Sequence, residues 1–369
     1  MLMSSLFRIG QVLKGRIGKY TITKEVQEAV WFAKNQVQET VVIKSVQDHP
    51  RIENERDVLK RFQHRTHCLR PLVDEIQEPS APVTIALRYL ESDLLDASIK
   101  KTLNRKELKH VSRCILEALK VLHEDGYVHT DLKPDNVFVN FREGDIRFSD
   151  VQLGDLGGCY PVDSDWATSG TLVGAPMWSS PEVILEMPWN TATNIWSFGA
   201  VLISLIYGGD FNLFRPKGVD RDHEEYLLEV LKEQFRYFAP FPAKFEEVTS
   251  PETINSILYL MQEIPQEKTT PFSRTTEREV IKKDKDFIRK IMMLDWRDRP
   301  TAKELLEDEW WKDDEDTAVI WSRLSASLLW PDSLNTNISL QGRSINKKAL
   351  LPGADLLCGP GEFTTPASE

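Results

Sequence analysis

The chain has 369 residues, of which 41 % are hydrophobic and 28 % are charged, and its formal net charge is −11. This composition suits a globular protein with one or two cores, and the acidic balance argues against nucleic-acid binding. The four cysteines lie far apart, which argues against a metal knuckle and favours a reducing compartment, cytoplasmic, nuclear or both. The N-terminus lacks a signal-peptide core, and we expect no membrane association.

The N-terminal part of the sequence predicts β-strands and one helix. Short β-branched runs at 41–43 and 83–87 are typical of strands, and apolar residues recur with helical spacing at 52–62. Further along, 107–123 predicts an amphipathic helix. The run 195–207 is apolar on all sides but too short to span a membrane, which predicts a buried helix. A β-rich half followed by a larger helical half predicts two lobes with a cleft between them.

The strongest functional signal is the segment HTDLKPDN, which begins at His129. It resembles the catalytic loop of the protein kinases, H-R-D-L-x-x-x-N. A carboxylate at Asp131 can accept the proton of an attacking substrate hydroxyl, and Lys133 can neutralise charge on the transferring phosphoryl group. The amide oxygen of Asn136 can bind a divalent cation. A lysine two places after the aspartate resembles the Ser/Thr-specific members of the family.

Two further motifs resemble the nucleotide-binding parts of these kinases. The triplet D-L-G that begins at Asp155 stands where the family has D-F-G, which implies that Asp155 holds Mg²⁺ at the ATP phosphates. The strand-like VVIK resembles V-A-I-K, which implies that Lys44 reaches the α- and β-phosphates. Glu55 lies on the predicted helix that follows, where the family's helix supplies a partner for that lysine.

Three later motifs complete the resemblance. The segment GAPMWSSPE, which ends at Glu182, resembles the end of the activation segment, G-T-P-x-Y-x-A-P-E. In the family such a glutamate pairs with an arginine of the helical lobe, here Arg299 of DWRDRP, and NIWSFG resembles D-x-W-S-x-G. Six motifs in the right order over about 22–312 identify the chain as a member of the eukaryotic protein kinases of Ser/Thr type. The H-T-D triplet also resembles the SR-protein kinases and their fungal relatives.

The resemblance implies an α+β, bilobal fold. We expect a leader over 1–19, a kinase domain over 20–312 and a partly disordered tail over 313–369. The small antiparallel β-rich lobe covers about 20–90, the mainly helical lobe about 91–312, and an insert about 209–284. We expect a monomer that takes ATP, Mg²⁺ and a protein substrate, with no nucleic-acid or membrane partner. The implied ATP-binding residues are Lys44, Glu55, Ile22, Val30, Val42, Leu87 (as gatekeeper), Tyr89, Leu90 and Phe138, and the implied metal ligands are Asn136 and Asp155.

The glycine-rich loop of the family is missing its glycines. In the matching stretch, 22–30, the three glycine positions hold Thr23, Glu25 and Glu28. Glycines let backbone N–H groups approach phosphates closely, whereas carboxylates repel them unless they point outward. Val42 and Phe138 also tighten the adenine slot. We therefore expect weakened ATP affinity rather than its loss.

Thr130 replaces the arginine that, in the family, grips a phosphate on the activation segment. Without that arginine, switching by a phosphorylated activation segment loses its main receiver. We therefore predict activity that does not depend on modification of Thr168, Ser169 or Thr171.

Three interpretations stay open. An active Ser/Thr protein kinase is favoured by the retained catalytic and phosphate-clamping residues. A catalytically impaired pseudokinase, acting as a scaffold or binding module, is favoured by the absent glycines, by Ala175 in place of a threonine and by Asn194 in place of an aspartate that braces the catalytic loop. A small-molecule phosphotransferase is disfavoured by the S-P-E and D-R-P motifs. Phosphotransfer that disappears in Asp131→Asn distinguishes the first two.

Overall fold

The computed structural model describes residues 6–312, which form two lobes. The N-terminal lobe is a closed antiparallel barrel whose strands follow the order β1-β2-β3-β4-β6-β5, with one helix packed against it. The predicted α+β, bilobal class is therefore confirmed. The lobe consists of β1 (Val12–Gly15), β2 (Lys19–Gln27), β3 (Val30–Lys34), β4 (Thr40–Ser45), α1 (Arg51–Phe62), β5 (Leu72–Glu78) and β6 (Thr84–Arg88).

The barrel begins earlier in the sequence than predicted. Phe7 is only 3 % exposed, and its ring packs edge-on against Trp31 with 5.0 Å between centroids. Strand β1 pairs with both β2 and β5, which closes the barrel. Residues 6–19 are thus part of the folded lobe, and the predicted leader over 1–19 is wrong over this stretch. Strand β1 has only four residues, too few to show an alternation of apolar and polar side chains in the sequence. Its place in the barrel depends on pairing with β5, which is distant in sequence.

A buried carboxylate fixes the turn between β1 and β2. Asp74 accepts hydrogen bonds from the backbone N–H groups of Arg16, Ile17 and Gly18 at 3.0, 3.0 and 3.1 Å. It also accepts one from the Tyr20 hydroxyl at 3.0 Å, and burial together with this carboxylate raises the pKa of Tyr20. The turn is therefore held by charge-assisted hydrogen bonds rather than by apolar packing.

The C-terminal lobe is mainly helical, with a small hairpin beneath the barrel. Its strands are β7 (Ser92–Asp93), β8 (Tyr127–Val128), β9 (Val137–Phe141), β10 (Phe148–Leu153) and β11 (Tyr160–Pro161). Its helices are α2 (Leu94–Lys100), α3 (Arg105–Glu124), α4 (Asp165–Thr168), α5 (Pro181–Ile184), α6 (Ala192–Tyr207), α7 (Tyr226–Phe238), α8 (Pro251–Glu263), α9 (Lys282–Ile291) and α10 (Ala302–Leu306).

Two of these helices show why the sequence folds as it does. Helix α3 begins at a capping box, in which Asn104 and Glu107 each accept the other's backbone N–H, and it buries its apolar face. Helix α6 is buried on all sides, as its apolar run predicted. No helix within residues 6–312 is both long enough and apolar enough to cross a membrane.

Backbone hydrogen bonds join the two lobes at the rear of the cleft. The N–H of Arg70 donates to the carbonyl of Leu153 at 2.8 Å, and the N–H of Leu153 donates to the carbonyl of Cys68 at 2.7 Å. These bonds hold the end of β10 against residues 68–70, the segment that leads into β5. The predicted insert over 209–284 contains α7 and α8, and its role stays a prediction. The predicted tail over 313–369 lies outside the described residues.

Candidate active site

A lysine on the barrel joins two carboxylates in the cleft. Lys44, near the end of β4, places Nζ 2.9 Å from Oε2 and 3.1 Å from Oε1 of Glu55 on α1. The same nitrogen lies 2.8 Å from Oδ1 of Asp155, which follows β10. Burial alone would lower the pKa of Lys44, but the charges of Asp155 and Glu55 outweigh burial and raise it. The structure therefore brings together the implied phosphate clamp, Lys44 with Glu55, and the implied metal ligand Asp155.

Asp155 lies between two cations. Its Oδ2 accepts a hydrogen bond from Nη2 of Arg51 at 2.8 Å, while Lys44 contacts Oδ1. Burial would raise the pKa of Asp155, but the charges of Lys44 and Arg51 hold it far below its usual range. The backbone of Asp155 is left-handed, with φ of 59°, which is unusual for a residue other than glycine. Residues with such backbone angles are often found at functional sites.

Arg51, the first residue of α1, was not predicted to belong to the site. A cation at a helix N-terminus is unfavourable to the helix dipole, so it calls for a separate partner. The position of Arg51 at the start of a predicted helix could therefore have indicated that it has an acidic partner. It could not have indicated which carboxylate that partner is. Asp155 is 104 positions away along the chain.

The catalytic-loop residues converge on one carboxylate. Oδ2 of Asp131 lies 3.1 Å from Nζ of Lys133 and accepts a hydrogen bond from Nδ2 of Asn136 at 3.0 Å. Oδ1 of Asp131 is buried and has no hydrogen-bond partner among the residues that the structure describes. Nδ2 of Asn136 also donates to the Asp131 carbonyl at 2.8 Å, which leaves the amide oxygen for another ligand.

The backbone of this loop is held by Asn194 at the start of α6. Oδ1 of Asn194 accepts from the His129 N–H at 2.9 Å and from Nε2 of His123 at 3.1 Å. Burial lowers the pKa of His123 to about 4, so its ring is neutral near pH 7. Nδ2 of Asn194 is buried with no acceptor among the described residues. The asparagine therefore braces the loop as an acceptor, at the cost of one unpaired donor.

Thr130 ties the loop to the segment after the D-L-G triplet. Its hydroxyl donates to the carbonyl of Gly158 at 2.7 Å, and its own backbone is left-handed with φ of 50°. Nε2 of His129 lies 2.9 Å from the carbonyl of Gly154. Side chains and backbone thus connect the catalytic loop with the triplet.

The donor set at the phosphate end suits Mg²⁺. The carboxylate of Asp155 and the amide oxygen of Asn136 are the hard oxygen ligands that this ion prefers. Both oxygens of Asp155 already contact cations, however, so a metal ion must share or displace Lys44 and Arg51.

Three of the residues predicted for the adenine side, Val30, Val42 and Leu87, lie on the neighbouring barrel strands β3, β4 and β6. Val30 pairs in register with Lys44, and Val42 pairs with Leu87. The ring of Tyr89 packs edge-on against Phe32 at 5.3 Å, a contact that the sequence analysis did not anticipate. Val42, Leu87 and Leu90 are buried, and Phe138 lies on β9 below them.

Ile22 was predicted to line the cleft, and the structure corrects this. Its side chain is buried in the barrel interior with Phe7, Leu13 and Trp31, and its register partner is Ala33 of the same interior. A β-bulge follows Ile22 in the strand, so strict alternation fails at this point.

The glycine-free lid is a tight β-hairpin. It turns between β2 and β3 at Glu28 and Ala29, where Ala29 takes a left-handed φ of 64°. Glu25 and Glu28 are exposed. The lid carboxylates are therefore hydrated at the surface rather than buried against the cleft.

A second arginine that was not predicted from the sequence contacts Phe138, one of the residues predicted for the adenine side. Arg70 is 4 % exposed, and its Nε donates to the backbone carbonyl of Arg88 at 2.8 Å. Its guanidinium carbon lies 4.2 Å from the centroid of the Phe138 ring. Burial lowers the pKa of Arg70 to about 10, so it stays protonated at neutral pH. In the sequence, the burial of Arg70 is indicated only by its being the single charged residue in the otherwise apolar run CLRPLV.

The motifs of the helical lobe also meet. Glu182 and Arg299 form a bidentate pair with distances of 2.7 and 2.8 Å, and both side chains are buried. The pair joins the end of the activation segment to the loop before α10.

Comparison with known proteins agrees with this arrangement. A family model described as a protein kinase domain matches residues 8–311. The calcium/calmodulin-dependent protein kinase type 1 of Macrobrachium nipponense is 25 % identical over 260 residues, which are 70 % of this chain and 61 % of that protein. The chain therefore spans less than two thirds of that relative's length.

Other relatives match over more of their length. The serine/threonine-protein kinase US3 homolog of Cercopithecine herpesvirus 9 is 27 % identical over 274 residues, covering 74 % of this chain and 76 % of that protein. A probable casein kinase II subunit alpha homolog of Encephalitozoon cuniculi is 25 % identical over 312 residues, covering 80 % and 89 %. A chain in the crystal structure of the yeast RNA Pol II CTD kinase CTDK-1 complex superposes with a TM-score of 0.63 at 19 % identity, covering 80 % of this chain and 93 % of that one. At this identity the structural likeness supports the fold alone.

Proposed function

We propose that this chain, which belongs to the protein kinase family, transfers the γ-phosphoryl group of ATP to a Ser or Thr hydroxyl of a protein. The observation that carries the proposal is Oδ1 of Asp131, a buried carboxylate oxygen with no donor among the described residues. Its partner oxygen is fixed by Lys133 and Asn136. An incoming hydroxyl would supply the missing donor.

The transfer can be written from these side chains. The substrate hydroxyl donates its proton to Oδ1 of Asp131 while its oxygen forms a bond to the γ-phosphorus, and the bond from that phosphorus to the bridging oxygen breaks, releasing ADP. Lys133 offsets negative charge on the phosphoryl group, and Lys44, held by Glu55, contacts the phosphates that remain on ADP. Mg²⁺, held by Asn136 and Asp155, would neutralise phosphate charge when bound.

The choice of Ser and Thr as acceptors rests on Lys133, in the position that resembles the Ser/Thr-specific kinases, and on the named relatives. A monomer in the cytoplasm or nucleus, with no nucleic-acid or membrane partner, is part of the same proposal. The likeness of H-T-D to the SR-protein kinases stays a prediction.

A scaffold without phosphotransfer is the second candidate. The observation that favours it is Arg70, whose guanidinium fills the adenine side of the cleft. The glycine-free hairpin adds to this by removing the flexible backbone that normally covers phosphates.

Two assays separate these candidates. Thermal unfolding with Mg-ATP at about 100 times Kd should show about 2.7 kcal/mol of stabilisation. Lys44→Ala and Asp155→Ala should remove it. Phosphotransfer to a Ser/Thr peptide library should then vanish in Asp131→Asn and persist in Asp145→Asn, a matched change at an exposed carboxylate. Equal product from Asp131→Asn and the native chain would refute the proposed role of Asp131.

A further inference from the structure

The guanidinium of Arg70 lies where the proposed function requires an adenine base. The hinge over 87–90 borders this part of the cleft, and Phe138 forms its floor. Arg70 enters from the segment before β5, at the rear of the cleft, and reaches forward to the carbonyl of Arg88, 18 positions further along the chain. That carbonyl belongs to the last residue of β6, whose own N–H donates to the carbonyl of Pro71 at 3.1 Å.

Arg70 makes there the two contacts that an adenine would make. An adenine presents an exocyclic amino group as a donor and a flat π-system for stacking. Arg70 presents Nε–H to the hinge carbonyl at 2.8 Å and a planar guanidinium 4.2 Å from the Phe138 centroid. A base and this guanidinium cannot both stack on the same face of the Phe138 ring.

Close packing leaves little room for both. A Cβ built on Gly154 would lie 2.8 Å from the Phe138 ring and 3.1 Å from Cδ of Arg70. The stem of Arg70 is thus confined between the D-L-G turn and the floor of the slot. A base that stacks on this face of Phe138 therefore requires the Arg70 side chain to change rotamer.

We propose that Arg70 is an internal occupant of the adenine subsite, so that a nucleotide binds only when this side chain withdraws. Arg70 therefore sets nucleotide affinity in the native chain. This inference rests on the proposed function, since it assumes that the cleft is a nucleotide site. If Arg70 had only a structural role, its removal would destabilise the fold without tightening nucleotide binding.

The test is Mg-ATP titration by calorimetry on the full chain and on Arg70→Met. Methionine keeps an unbranched stem against Gly154 but removes the planar donor. We expect Arg70→Met to bind Mg-ATP at least about tenfold more tightly than the native chain, the scale of one charge-assisted hydrogen bond. Arg65→Met is the matched control, because Arg65 pairs with Glu124 and Asp125 at the surface; its affinity should stay within about twofold. Equal or weaker binding by Arg70→Met, or binding by neither protein at millimolar Mg-ATP, overturns the inference.

A measurement on the native chain covers the case in which Arg70→Met does not fold. Nitrogen-15 NMR of the arginine Nε–H groups should show a slowly exchanging Arg70 signal that loses its protection as Mg-ATP is added. A signal that stays protected at saturating nucleotide overturns the inference. Failure of the proposed function looks different: Arg70→Met then binds Mg-ATP tightly, but no Asp131-dependent phosphotransfer follows.

Discussion

Removing the charge of Glu182 should strongly destabilise the C-terminal lobe. Arg299 is fully buried and donates to both carboxylate oxygens of Glu182, and its remaining hydrogen bonds go to the backbone carbonyls of Ala192, Met293 and Leu294. Carbonyls solvate a guanidinium but do not neutralise it. Glu182→Gln therefore leaves a buried cation without a counter-charge, which costs about 3–5 kcal/mol of unfolding free energy.

The assay is urea unfolding followed by far-UV circular dichroism, read as a shift in midpoint at constant slope. For a domain of this size the loss corresponds to a fall in melting temperature of roughly 5–8 °C. The double variant Glu182→Gln/Arg299→Met removes both charges and should recover part of the loss, because no buried charge is then left unpaired. A loss below about 1 kcal/mol in Glu182→Gln, or a double variant less stable than the sum of the single changes, would refute this reasoning.

Four further outcomes can be measured. The pKa of His123 is about 4 in the folded state and about 6.5 in the unfolded one, so the unfolded state binds an extra proton between these pH values. The stabilisation is fully present above pH 6.5, and the free energy of unfolding falls by up to about 3 kcal/mol as the pH drops to 4. Urea titrations over this range should find a smaller pH dependence in His123→Gln. Arg51→Ala should lower the Mg²⁺ concentration needed for ATP-dependent stabilisation about fivefold, since one competing cation leaves Asp155; an unchanged Mg²⁺ midpoint argues against the competition. Asp74→Ala should cost about 3 kcal/mol in urea unfolding by stranding the turn donors, and a loss no larger than that of a surface change contradicts this. The triple alanine variant of Thr168, Ser169 and Thr171 should keep its phosphotransfer rate within about tenfold, and a larger fall would show that phosphorylation is required.

The parts of the site that the sequence predicted are those that belong to motifs of the family, whether the residues share one loop or, like Glu182 and Arg299, lie 117 positions apart. Asp131, Lys133 and Asn136 lie in one loop, so their letters and their geometry go together. Lys44 and Glu55 belong to adjacent elements and also meet. Ile22 was misplaced because its role was implied by the resemblance to the family's glycine-rich loop, whereas its side chain here packs into the barrel interior.

The parts that the sequence could not predict are the contacts of two arginines, Arg51, which is partly buried, and Arg70, which is buried. A charged side chain in a motif-free stretch is ordinarily read as solvated surface. Whether it is buried depends on partners far along the chain: Asp155 for Arg51, and the hinge carbonyl of Arg88 for Arg70. No local pattern encodes such contacts.

The two arginines affect a nucleotide in opposite ways. Arg51 lies at the phosphate end, where a polyphosphate can replace Asp155 as its partner, so part of the interaction is regained on binding. Arg70 lies at the base end, where adenine offers no negative charge in return and competes for the same carbonyl. Glu25 and Glu28 are exposed, so water screens their repulsion of phosphate. The base end, rather than the glycine-free lid, should therefore limit affinity: Glu25→Gln/Glu28→Gln should tighten Mg-ATP binding less than Arg70→Met does, and the reverse order in calorimetric titrations would return the lid to the leading role.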